Sequence, residues 1–179
     1  MEPLSTPAGL RVSLTDLRHT EGARLDFHAA GTLPAATGTG LVHWPADRAA
    51  TVDGVLESVG EGVLVTGTVA VDLDITCGRC LKESTTAIAA DIRELFVYPG
   101  HDDEYAEADV SHVDGTSLDL APVVRDAILL DAPLHPLCTP DCAGLCPRCG
   151  ADLNEAPDHA HDDDTDSRWS GLAGWGRMS

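Results

Sequence analysis

Aromatic side chains are scarce in this chain, making up 4% of its 179 residues. A hydrophobic content of 43% still allows a core, but one built mainly from Val, Leu, Ile and Ala. Basic residues are scarce too. Eleven Lys and Arg face thirty Asp and Glu, for a formal net charge of −19. A surface this negative repels nucleic acid and anionic membranes, so direct nucleic-acid binding is disfavoured. It attracts basic proteins, and the same charge also favours plain solubility. No apolar run approaches the ~18 residues of a membrane-crossing helix. The start, MEPLSTPAGLRVSL, carries an acid at position 2 and no uninterrupted apolar region, unlike a secretory signal. The expectation is a cytoplasmic protein whose thiols stay reduced.

Isolated cysteines are also missing. Four of the six lie in PLCTPDCAGLCPRCGADLN, as Cys138, Cys142, Cys146 and Cys149, and the other two form an upstream C-x-x-C, Cys77 and Cys80. Zn²⁺ takes four thiolates in a tetrahedron, with Zn–S near ~2.3 Å. A C-x-x-C turn presents two sulfurs to one side of an ion. Pro147 stiffens the downstream turn, Gly150 tolerates the positive φ often needed just past it, and Arg148 offsets part of the charge of a four-thiolate site. The local four are therefore the expected ligands of one Zn²⁺ per chain, since they assemble without a long-range contact. A zinc-ribbon arrangement that joins Cys77 and Cys80 to two downstream cysteines stays open. The spacing is not that of bacterial ferredoxins. His159 and His161 are further candidate ligands, whereas His43, beside Trp44 and Pro45, reads as structural.

Along the chain, strands are expected at 10–15, 23–28, 52–59, 63–77 and 81–98, with 31–40 as a loop. The run from Val63 alternates with period two: Val63, Val65, Gly67, Val69, Val71, Leu73 and Ile75 share one face, with a bulge or bend near Gly67. Cys77-Gly78-Arg79-Cys80 then sits at a hairpin tip between two long strands, not at the strand-to-helix junction of a thioredoxin-like redox motif. Residues 100–109 read as a solvated acidic loop with no accompanying nucleophile or phosphate loop. A helix is expected from Ser117 to Asp131, with Asp119 as N-cap, Pro122 in its first turn and Pro133 ending it. The fold class is α+β: a mostly antiparallel curved sheet or partial barrel, one main helix, and a Cys-rich metal loop at 137–154. Residues 1–154 form one domain. Residues 155–179 form a flexible acidic tail ending in Trp169, Leu172 and Trp175.

Three pieces of this sequence together resemble the YceD family, the bacterial large-subunit ribosomal RNA accumulation proteins. They are DITCGRCL from Asp74 to Leu81, DLAPVVRDAILL from Asp119 to Leu130, and LCTPDCAGLCPRCGADLN from Leu137 to Asn154. The resemblance covers roughly 10–175 and is weak before Val52. It implies a non-enzymatic role in accumulation of 23S ribosomal RNA and in large-subunit assembly. No catalytic residues come with it. Similar proteins often carry cysteines where this chain has His159 and His161, and D-P-R-W where it reads Asp166-Ser167-Arg168-Trp169. Taken with the charge, the resemblance suggests an acidic partner for a basic large-subunit ribosomal protein or a pre-ribosomal particle. Two other classes stay open. One is a thiol oxidoreductase or metal hydrolase; the other is a zinc-stabilised interaction or metal-handling module unrelated to ribosomes.

Overall fold

The computed structural model describes residues 9–17, 20–33, 35–100, 110–161 and Arg168. Two strands dominate it. β6 (Gly62–Thr76) and β7 (Glu83–Val97) pair antiparallel along their whole length, from Gly62↔Val97 to Thr76↔Glu83. The alternation in β6 dictates this: Val63, Val65, Val69, Val71, Leu73 and Ile75 are all buried, while Thr66, Thr68, Ala70 and Asp72 face water. On its other edge, β6 pairs first with β5 (Ala50–Val59) and, nearer the tip, with β4 (Val42–Trp44). β2 (Arg24–Gly31) continues the sheet beyond β5, and β3 (Thr37–Thr39) continues it beyond β4.

A short parallel strand, β8 (Ser111–His112), lies beside β7. The sheet ends at β2 and β3 on one side and at β8 on the other, with no pairing between these ends among the described residues, so it is an open sheet and not a closed barrel. The ladder runs unbroken through Gly54↔Gly67 and Gly67↔Ile92, so there is no bulge at Gly67. Glycine is needed there for another reason. A Cβ on Gly67 would lie 2.6 Å from the Asp53 carbonyl oxygen, and one on Gly54 would lie 2.5 Å from that of Thr66.

The start of the expected helix is a strand. β9 (Ser117–Asp119) pairs antiparallel with β1 (Arg11–Ser13), and α1 runs only from Ala121 to Asp131. The backbone N-cap is Leu120, and the Asp119 carboxylate accepts the Ala121 N–H at 3.0 Å. Pro122 takes the first turn, where a missing N–H costs nothing. Val124 and Ile128 seat α1 on β7. One main core results, with Trp44, Phe96, Leu56, Leu118 and Leu120 among its fully buried side chains. Most of the expected acidic loop (101–109), the run 162–167, and Trp169, Leu172 and Trp175 lie outside the described residues. Among the described residues no helix is long and apolar enough to cross a membrane.

Candidate metal centres

At the tip of the β6–β7 hairpin, Cys77 and Cys80 project from a tight turn. Three hydrogen bonds define it: Cys77 N–H to the Lys82 carbonyl (2.9 Å), Leu81 N–H to the Cys77 carbonyl (2.9 Å), and Gly78 N–H to the Pro136 carbonyl (2.8 Å). The downstream C-x-x-C is built to the same plan. Cys146 N–H reaches the Ala151 carbonyl (2.8 Å), and Gly150 N–H reaches the Cys146 carbonyl (2.8 Å). In both turns the residue after the second cysteine has a positive φ, +76° at Gly150 and +60° at Leu81. Leu81 is the one non-glycine residue in that region among those described. The chain thus contains one turn twice, each copy aiming two sulfurs outward.

Each copy acquires a different pair of partners. The sulfurs of Cys77, Cys80, Cys138 and Cys142 all lie within 4.8 Å of one another, with Cys77–Cys142 at 3.7 Å and Cys80–Cys138 at 3.6 Å. All six cysteines are free thiols. Tetrahedral coordination at a Zn–S distance of ~2.3 Å sets sulfurs about 3.8 Å apart, so these four fit one ion with little movement. The second group joins Cys146 and Cys149 to His159 and His161, again with all ligand atoms within 4.8 Å.

This grouping departs from the expected local set Cys138, Cys142, Cys146 and Cys149. The geometry sends its first two members to the upstream turn and its last two to the histidines, which makes two groups in place of one. The reason lies at Gly144 and Leu145. Leu145 N–H bonds the Arg79 carbonyl (3.2 Å), and Leu153 N–H bonds that of Gly144 (2.9 Å). A Cβ on Gly144 would come within 3.2 Å of Arg79. The chain is pinned to the hairpin tip midway between Cys142 and Cys146, so the two pairs of sulfurs fall in different groups. Nearness in sequence does not make them neighbours in space. His43 belongs to neither group.

Hydrogen bonds around the first group favour thiolates. Arg79 N–H points at Cys77 Sγ (3.4 Å), its guanidinium donates to the Cys142 carbonyl (2.8 Å), and the Asn154 amide approaches Cys142 Sγ (3.6 Å). Backbone donation, first from Cys80, outweighs burial and holds the Cys77 thiol down at about 6. At Cys80 the Lys82 backbone pulls the other way, but burial and the sulfurs of Cys138, Cys77 and Cys142 push the thiol up to about 12. Crowded thiols resist ionising together, and a bound divalent cation removes that conflict. In the second turn the backbone of Arg148, then of Cys149, brings Cys146 down to about 6.

Two residues that the sequence reading left without a role tie the two groups together. Lys82, the only lysine in the chain, pairs with Asp152 (2.7 Å) and Glu155 (2.8 Å). These contacts raise the lysine above its ordinary range and, with Asn154, take Asp152 down to about 2. Asn154, the only asparagine, accepts from Ala143 N–H (2.8 Å) and donates to Asp152 (2.7 Å). Being single in the chain was the one sequence signal that set these two residues apart. The expected boundary at Asn154 is crossed by the Lys82–Glu155 pair and by the contacts of His159 and His161.

The family described as large ribosomal RNA subunit accumulation protein YceD matches residues 65–174, more than half of the chain, including all six cysteines and α1. An uncharacterised Mycobacterium tuberculosis protein, Rv2926c, is 37% identical over 165 residues, which is 91% of this chain and 79% of the relative. ML1660 of Mycobacterium leprae, also uncharacterised, is 35% identical over 137 residues, 73% of this chain and 62% of the relative. Uncharacterised YlbN of Bacillus subtilis is 26% identical over 106 residues, 59% and 61% of the two chains. No solved structure matches. The chain belongs to the YceD family.

Proposed function

We propose that this protein is a non-enzymatic factor in large ribosomal subunit assembly, needed for 23S ribosomal RNA to accumulate. It acts through a basic large-subunit ribosomal protein or a pre-ribosomal particle. The family's own description supports a ribosome-related role. The observation that carries the finer reading is the solvent face of the sheet. Asp26, Asp53, Glu57, Asp72, Asp74, Glu83 and Asp91 all stand on that face by register, among Thr and Ala, offset by Arg24 and Arg93 from the same strands and by Arg48, which pairs with Asp74. Such a face repels phosphate and receives Lys- and Arg-rich segments. The protein works in the cytoplasm, where its thiols stay reduced.

Zn²⁺ held by Cys77, Cys80, Cys138 and Cys142 fixes the hairpin tip to the chain that follows α1. Four protein ligands leave no open position for water, so the ion is structural and no hydrolytic step is assigned to it. A binding assay of the full chain against RNA-free basic large-subunit proteins and against naked 23S RNA tests the reading. Binding to one or more of those proteins that falls at least tenfold in Asp72→Lys/Asp91→Lys supports it. Equal or tighter binding to the RNA sinks it.

A further inference from the structure

We infer that Cys146, Cys149, His159 and His161 form a second zinc site, filled in addition to the four-sulfur site, so that the chain carries two ions. The inference does not depend on the ribosomal reading. The first support is internal. The turn that presents Cys146 and Cys149 repeats the hydrogen bonds and the positive φ of the turn that presents Cys77 and Cys80. A turn of this plan delivers two sulfurs, and each copy has found two further ligands of its own.

The second support is convergence. Cys146 Sγ lies 3.3 Å from His161 Nε2, Cys149 Sγ lies 3.2 Å from His159 Nε2, and the two Nε2 atoms are 2.9 Å apart. With Zn–S ~2.3 Å and Zn–N ~2.05 Å, a tetrahedral site sets these pairs about 3.5 Å and about 3.3 Å apart, so small outward shifts admit the ion. A hydrogen bond between the histidines alone explains their approach to each other. It does not explain why each ring also turns the same nitrogen to a different sulfur of one C-x-x-C turn. The rings stand nearly perpendicular, at 87°, with centroids 4.6 Å apart, an arrangement that lets both point at one centre.

The two sites differ in charge and exposure. Two thiolates, two neutral imidazoles and Zn²⁺ sum to zero, whereas the four-thiolate site carries −2. Cys149 and His161 are exposed, while in the first group only Cys138 is less than buried. The second ion is therefore the easier one for a chelator to reach. It clips residues 155–161 to the body.

Zinc counting by native mass spectrometry on the full chain tests this, alongside absorption spectra of the cobalt-substituted protein. The wild-type chain should hold two ions. His159→Ala/His161→Ala should hold one fewer than wild type, and His135→Ala, outside both groups, should hold as many as wild type. His159→Cys/His161→Cys keeps four ligands; it should keep the wild-type count and raise the thiolate-to-cobalt charge-transfer band. A coloured chelator should take up one zinc in a fast phase that the histidine-to-alanine variant lacks. An equal ion count in wild type and the alanine variant, or no rise in that band in the cysteine variant, overturns the second site. A drop from two ions to one supports it, and a wild-type chain that holds a single ion overturns the two-ion chain.

Discussion

Single side chains shape the four-sulfur group in which the proposed ion would sit. Asn154 donates to a ligand sulfur, accepts an amide from the loop between Cys142 and Cys146, and holds Asp152, so it acts on the site without being a ligand. Partners of metal ligands orient them and tune their basicity, and losing one typically weakens affinity by about 10–100-fold. Asn154→Asp removes the donor and sets a carboxylate beside a thiolate. Zinc affinity measured by competition with a chelator should fall by about that factor, and an unchanged affinity contradicts the role. Gly150 has nothing within 4 Å of where a Cβ would stand, yet its φ is +76°. Gly150→Ala therefore tests backbone conformation alone and should destabilise the chain by about 1–2 kcal/mol in denaturant unfolding.

The hairpin β6–β7 and the helix carry the fold. Ile128 is fully buried where α1 meets the sheet. Ile128→Ala should cost about 2–5 kcal/mol in equilibrium unfolding, the range for a large core side chain cut back. Gly67→Val should also destabilise, by about 1–3 kcal/mol or more, since its Cβ meets backbone that cannot swing aside.

These elements were legible to different degrees. β6 declares itself because one face is buried along most of its fifteen residues, and β7 alternates exposed positions with half-buried and then buried ones as far as Arg93. β3 and β4 are three residues each, and the Gly- and Thr-rich stretch around β3 carries no periodicity, so it read as loop. Ser117–Asp119 precedes an amphipathic run and looked like a helix start. Its partner is Arg11–Ser13, more than a hundred residues away, and no local pattern announces that pairing. The ligand sets failed to show for the same reason. Cys77 and Cys142 are 65 positions apart, and Cys80 and Cys138 are 58. The repeat of C-x-R-C was the available signal: two such turns each need two further ligands, and the chain supplies two cysteines and two closely spaced histidines.

At the scale of the whole molecule, two separate clusters share the work of holding it together. The main one is mostly aliphatic, with Trp44 and Phe96 among its members, and lies between the sheet, α1, and the β1–β9 pair. The other gathers Cys77, Cys80 and Cys142, with Leu137, Cys138 and Leu145 packed against them. That second cluster is built mainly of thiols with two leucines against them, so on the proposed reading a bound ion supplies its cohesion. Removing zinc with a strong chelator should raise hydrogen exchange across residues 134–161 and the hairpin tip while β5, β6 and the first half of α1 stay protected. Uniform loss of protection would show that the two clusters unfold as one.

What the assembled molecule offers its surroundings is an acidic sheet face beside two groups of candidate metal ligands, within a family described by ribosomal RNA accumulation. The measurement closest to that claim is the ratio of 23S to 16S ribosomal RNA, with gradient profiles, after depletion of the protein. The account predicts that 23S falls and large-subunit particles decline while 16S is preserved, with recovery on restoring the wild-type chain. An unchanged ratio with normal large subunits would contradict it.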